Sequence, residues 1–193
     1  MALYDLADPA VPLPTQMVVD TSFLLALRPG DDNPHAEAAR RFVRRMGEQI
    51  TSYNLVAWLP LPVLQECYHV ILANGLRHTW QAMDGTTRPS NWLKMYKDRP
   101  ELLKTCLPEI ERFRQLLVAI PLTLVRPEDL VASTGVDPLE DRFHHFISAY
   151  HLLPHDALIL SEAERLRVLA VVTLDQDWRR VATFEIYTCL NGT

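Results

Sequence analysis

A chain of 193 residues with 48% hydrophobic side chains is long enough for one domain with a sizeable core, and that composition excludes a disordered chain. A formal net charge of −5 excludes nucleic-acid binding through uniform basicity, so any cationic surface has to be local. Three cysteines, Cys67, Cys106 and Cys189, are far apart and lack metal-ligand spacing; they exclude a disulfide framework and fit reduced thiols of a cytosol.

In chain order, "QMVVD" (16–20) is a short apolar run of β-branched character ending in a carboxylate, and it reads as a buried strand. "TSFLLALRPG" follows as a helix, with Thr21 or Ser22 as cap and Pro29 and Gly30 as stop signals. Pro34 suits the first turn of a second helix, in which Ala36, Ala39, Phe42, Val43 and Met46 recur at helical spacing while Arg40, Arg41, Arg44 and Arg45 fall on or beside the other face. "LVAWLPLP" reads as the next strand, and Pro62 opens a helix that carries Glu66 about one turn in. Residues 75–108 change character: Gly75, Gly85 and Pro89 are turn signals, and aromatic and basic residues interleave, so this stretch reads as an insertion. "PEIERFRQLLVAI" is helical, "PLTLV" a strand and "PEDLVAS" a short helix ending near Gly135. "PLEDRFHHFISAYHLL" and "PHDALILSEAERLR" are helices, "VLAVVTL" is a strand and "FEIYTCL" a further one. Strands alternating with helices predict an α/β fold: a central, mostly parallel sheet of about five strands, with crossover helices covering both faces.

In such sheets ligands bind beyond the carboxyl ends of the strands, where the strand order reverses. Asp20 closes the first strand; Asp175 and Asp177 follow the strand "AVVTL"; Glu66 and Asp156 lie in the first turns of helices. Taken singly, each has an ordinary explanation as a cap, a helix-start charge or an exposed side chain. Taken in order, "VVDTS", "LQECYHV", "HDALILSEAERL" and "VVTLDQDW" resemble the PIN-domain nucleases, and among them the toxins of the VapC type. The likeness covers nearly the whole chain except the first fifteen or so residues and 75–108.

The resemblance implies a PIN-like three-layer fold over residues 1–193, with 75–108 as a helical insertion within it. It implies that Asp20, Glu66, Asp156 and Asp175 converge as catalytic carboxylates, joined by Asp177 in holding metal, with hydroxyls of Thr21 or Ser22 and Thr173 orienting them. Trp178 is expected to anchor the loop from within the core. Clustered carboxylates repel one another and call for a hard divalent cation, Mg²⁺ or Mn²⁺. The activity implied is metal-dependent hydrolysis of RNA, with an antitoxin protein and a second copy of the chain as partners. Because the chain exceeds the compact toxins chiefly through 75–108, a housekeeping RNA-processing nuclease is an alternative, and a non-catalytic RNA- or protein-binding module is another.

Other chemistries fit less well. His144, His145, His151 and His155 are close in sequence, but Pro154 interrupts any helix carrying the last two, and no cysteine is nearby for zinc. An aspartyl phosphotransferase would want an acid where Ser22 stands, and with 6 glycines in all there is no glycine-rich phosphate loop. No apolar run approaches the roughly 18 residues of a membrane span, and "MALYDLADPAVPLP" is acidic with no signal-like core, so a cytoplasmic protein is expected. Within 75–108, Arg77, Arg88, Lys94, Lys97, Arg99 and Lys104 oppose Asp84, Asp98 and Glu101, a net charge of +3. Trp80, Trp92 and Tyr96 lie among them, and Lys94, Lys97 and Arg99 are the candidate RNA contacts of a substrate arm. The competing expectation is a solvated hairpin whose aromatics pack inward.

Overall fold

The computed structural model describes residues 2–29, 32–84, 92–131 and 138–190. They form two compact units, one of Met1–Leu64 with Ile120–Thr193 and one of Gln65–Ala119. The first unit is built on six strands: β1 (Ala2–Asp5), β2 (Gln16–Val19), β3 (Val56–Leu59), β4 (Thr123–Leu124), β5 (Ala170–Val172) and β6 (Glu185–Thr188). Their order is β1-β6-β5-β2-β3-β4, and every neighbouring pair is parallel. The expected sheet of about five strands therefore gains one, at the β1 edge, where Ala2 to Asp5 register with Glu185 to Thr188.

Met17, Val18 and Val19 are all buried, as are Ala170, Val171 and Val172. Successive strand residues point to opposite faces, so both faces of the sheet centre are covered. The chain elements that do this include α1 (Thr21–Ala26) and α2 (Ala36–Thr51), which meet through Phe23 and Phe42, the latter also contacting Tyr187 of β6. A second pair, α7 (Leu139–Tyr150) and α8 (Pro154–Arg165), is joined by an ion pair of Arg142 with Glu164, and Phe146 reaches Phe184 ahead of β6. Between β4 and these helices, α6 (Pro127–Val131) is tied to α8 by Arg165 donating to the Leu130 carbonyl at 3.0 Å. The helix expected over "PEDLVAS" ends at Val131, and Gly135 lies outside the described residues.

In the second unit, α3 (Leu61–Asp84) begins ahead of it and continues through Gly75, so Gly75 is no turn. The reason is packing: a Cβ at Gly75 would meet Cys106 Sγ at 2.7 Å, and only glycine lets the helix approach that side chain. Gly85 and Pro89 lie outside the described residues. The chain resumes in α4 (Trp92–Asp98), a 3₁₀ segment (Pro100–Cys106) and α5 (Leu107–Ala119). Leu76, Met95, Leu102 and Cys106 form its buried cluster, with Trp80 and Trp92 packed against it. The two tryptophans thus pack inward, and Tyr96 is exposed. All three cysteines are buried, and none of them forms a disulfide.

Two consequences are measurable. Gly75→Ala should cost up to about 2 kcal/mol, because overpacking of about 1–3 kcal/mol is offset by the roughly 1 kcal/mol that alanine gains in a helix. In a Cys106→Ala background, which removes the Sγ, the same substitution should become neutral or stabilising in urea unfolding. The second concerns Glu162 on α8, buried with Oε2 lacking a hydrogen bond among the described residues. Burial pushes its carboxyl up to about 7 despite Arg165. The folded state then holds this proton more tightly than the unfolded state, so stability falls as pH rises from the ordinary glutamate range to about 7. Glu162→Gln should remove this fall, on the order of 3 kcal/mol, and be the more stable protein at pH 8 by thermal or urea unfolding.

Candidate active site

Because β3 and β4 lie to one side of β2 while β5 and β6 lie to the other, the strand order reverses between β2 and β5. Their carboxyl ends flank the crevice where open α/β sheets bind ligands. Asp20 leaves β2 at this point and is the N-cap of α1, in place of the expected Thr21 or Ser22, which are the first two residues of the helix itself. Its N–H still donates across to the Val172 carbonyl at 3.0 Å. Its side chain is 3% exposed, and one oxygen, Oδ2, receives Ser22 Oγ at 2.6 Å, Thr173 Oγ1 at 2.7 Å and the Ser22 N–H at 3.3 Å. Burial pushes the Asp20 carboxyl above its ordinary range, and the bonds from Ser22 and Thr173 pull it part of the way back.

Both hydroxyls do a second job. Ser22 Oγ accepts the Leu174 N–H at 2.9 Å, and Thr173 Oγ1 accepts the Asp175 N–H at 3.0 Å. Each hydroxyl proton is spent on Asp20, so the 3.1 Å approach of Ser22 Oγ to Thr173 Oγ1 is a packing contact within the network. Asp175 then caps a 3₁₀ segment (Gln176–Arg180), its Oδ1 accepting the Asp177 N–H at 2.8 Å. Trp178 is fully buried beneath this loop, as expected of an anchor. Asp177 is exposed and paired with Arg180 at 2.8 Å.

Asp20, Ser22, Thr173 and Asp175 are therefore assembled in one hydrogen-bonded network. Of the two alternative hydroxyls beside Asp20, Ser22 is the one that bonds it; Thr21 is buried, and its Oγ1 has no hydrogen bond among the described residues. Asp156 lies half-buried in the first turn of α8, and Glu66 half-buried on α3 within the second unit. Among the described residues, no three His, Cys, Asp or Glu side chains are grouped so as to share a metal ion. That does not disqualify the hard-cation reading, since Mg²⁺ commonly keeps several waters and takes only one or two carboxylates. Lys94, Lys97 and Arg99 are all exposed, and Arg99 is engaged by Glu101 at 2.6 Å. Sequence reasoning did not find the two backbone amides of the 174–175 loop as partners of the hydroxyls; no side-chain pattern encodes them.

The fold and site define a class: an all-parallel α/β protein with a buried, hydroxyl-braced aspartate and an acidic loop at its topological switch point. Residues 17–183 match the model of the PIN domain, and the chain belongs to that family, a family of nucleases. No curated protein matches the chain. The crystal structure of VapBC2 from Rickettsia felis, bound to a DNA fragment from their promoter, is similar at a TM-score of 0.47 and 12% identity, over 90% of this chain and 98% of that one.

The bracing hydroxyl can be tested directly. Thr173→Val keeps the shape but removes a donor to a buried carboxylate and an acceptor for the Asp175 N–H. A stability loss of about 1–3 kcal/mol is expected in urea unfolding, with Thr173→Ser recovering most of it. Equal losses for both variants would mean that packing, and not the hydroxyl, is what matters at this position.

Proposed function

We propose that this protein is a divalent-metal-dependent endoribonuclease that hydrolyses phosphodiester bonds at the crevice between β2 and β5. The observation that supports it is the Asp20 carboxylate, buried without a cationic partner among the described residues and braced by two hydroxyls beside Asp175. A buried carboxylate whose charged form is disfavoured is a ligand that gains from a cation. In this reading Asp20 and Asp175 hold Mg²⁺ or Mn²⁺, with Asp156, Glu66 and Asp177 as the remaining acids of the set. When bound, the ion supplies a water of lowered pKa and neutralises charge on the phosphoryl oxygens.

The chain's own residues have narrower duties. Ser22 and Thr173 hold Asp20 Oδ2 in one orientation, and the 173–177 loop fixes where Asp175 stands relative to it. Asp177, already satisfied by Arg180, is the acid least committed to the centre. No protein nucleophile is required. The order of the four acidic motifs supports a toxin role, with an antitoxin and a second copy of the chain as partners in a cytoplasmic setting; among the described residues no helix is long and apolar enough to cross a membrane. The additional compact unit, Gln65–Ala119, favours a second reading, an RNA-processing nuclease with the same chemistry. Exposed Lys94 and Lys97 are its candidate RNA contacts, with Arg99 weakened by its pairing.

Asp20→Asn and Asp156→Asn preserve volume and remove one charge each. Either should abolish Mn²⁺-dependent cleavage of single-stranded RNA while the protein remains folded by circular dichroism. Independently of turnover, Mg²⁺ or Mn²⁺ should raise the melting temperature of the wild type more than that of Asp20→Asn. Cleavage at the wild-type rate by both variants would refute the site, and equal thermal shifts would place the metal elsewhere.

A further inference from the structure

β1 and β2 are parallel, so the chain that leaves Asp5 at the carboxyl edge must return to the amino edge before β2 begins. The returning segment runs along α2 and is pinned there. Arg45 donates to the carbonyls of Asp8 at 3.0 Å and Val11 at 2.5 Å, and Tyr187 Oη donates to the Pro12 carbonyl at 3.1 Å. Between segment and helix is a recess of about 250 Å³, lined by Leu6, Ala7 and Pro9 on one side and Arg41, Arg44 and Arg45 on the other. Glu48 is its one lining carboxylate, and no ion pair to it is found among the described residues.

The guanidinium charge here is only partly neutralised. A solvated helix face normally interleaves the two signs. α2 instead carries Arg40, Arg41, Arg44 and Arg45 against Glu37 and Glu48. Glu37 is shared between Arg40 at 3.9 Å and Arg41 at 3.4 Å, with every partner at least 40% exposed, which makes each pairing weak. Arg44 is exposed and makes no hydrogen bond or ion pair among the described residues. The location also matters. Leu6 directly follows β1 and donates its N–H to the Thr188 carbonyl at the end of β6, so this part of the recess lies at the edge of the sheet that carries Asp20 and Asp175. β1 and β2 are three strand spacings apart in the sheet, or about 14 Å.

We propose that this recess is a phosphate subsite, in which Arg41 and Arg44 clasp a backbone phosphate of the single-stranded RNA while another phosphodiester, a few nucleotides along the same strand, is presented at the β2–β5 crevice. This rests on the nuclease reading above. Guanidinium suits the task because its planar fork bonds two phosphate oxygens at once. Arg45 is a positioning residue: committed to Asp8 and Val11, it holds the recess wall in place.

The test uses the full chain in EDTA with a short labelled single-stranded oligoribonucleotide, whose anisotropy is followed through a salt titration. Arg41→Gln with Arg44→Gln should weaken binding about tenfold, as expected for loss of a charge-assisted contact. It should also reduce the slope of log affinity against log salt by about 0.7 for each phosphate no longer neutralised. Arg44→Gln alone removes no intramolecular bond and should show part of both effects at an unchanged melting temperature. Wild-type affinity and slope in the double variant would overturn the subsite. So would loss of a poly-glutamate peptide with RNA affinity retained, which would assign the recess to an acidic protein segment. If the wild type neither binds nor cuts RNA, the nuclease reading itself fails, a result distinct from failure of the subsite alone.

Discussion

Everything at the carboxyl edge depends on one buried carboxylate oxygen. Asp20 Oδ2 takes both the Ser22 and the Thr173 hydroxyl, residues 151 positions apart, and so joins the end of β2 to the end of β5. A desolvated carboxylate is costly unless its acceptor sites are filled, and here the donors filling them are themselves filled by loop amides. The result is a chain of obligations: the carboxylate orients the hydroxyls, the hydroxyls accept the Leu174 and Asp175 amides, and Asp175 caps the segment that buries Trp178. The bracing lowers the cost of burying Asp20 without cancelling it, since the carboxyl remains above its ordinary range. A folded protein retains such a residual cost where another interaction offsets it.

The same edge explains why the acids lie where they do. Parallel neighbours need a crossover of about a dozen residues or more, usually a helix. Between β5 and β6 the crossover is only residues 173–184, with a 3₁₀ segment in place of an α-helix. So short a link has to turn back at once, and it does so over Trp178, whose burial supplies the apolar weight that a helix would otherwise bring. Polar residues left on such a tight loop face the crevice or solvent. Asp175 and Asp177 are there because the connection is too short to hide them.

Much of this was legible in the residues. β2, β5 and β6 are largely apolar runs buried on both faces, which is the pattern a parallel sheet requires, while β3 buries Ala57 and Leu59 on one face and leaves Val56 exposed on the other. Asp20 was visible as an acid ending such a run, but the choice of Ser22 over Thr21 as the hydroxyl that bonds it was not, because both follow it directly and only the folded chain brings Ser22 Oγ to Oδ2. β1 was not legible, because "ALYD" is half-buried along its length and becomes a strand only by pairing with β6, far away in sequence. Gly75 misled for a similar reason. Its meaning is a close approach to Cys106, and nothing within one helical turn of it in the sequence reveals that. The assignment of Glu66 and Asp156 to the same set as Asp20 rests on the order of the motifs alone, since no local rule of spacing links residues so far apart in sequence.

An acidic enzyme that handles a polyanion faces two opposed electrostatic demands. In the proposed reading, the carboxylates that would hold a cation repel the strand that has to approach them, and a net charge of −5 adds a field of the same sign. Spreading basic residues evenly would relieve the second difficulty and weaken the first function, because arginines close to the acids would pair with them, as Arg180 does with Asp177. The alternative is separation: cations confined to another part of the same edge, beyond contact distance of the acids but within reach of a flexible strand. α2 meets that condition, since its arginines face the segment after β1 while Asp20 and Asp175 close β2 and β5. The position of β1, the strand least evident in the sequence, creates the separation, because its return path along α2 is the wall to which Arg45 is bonded and across which Arg41 and Arg44 line the recess.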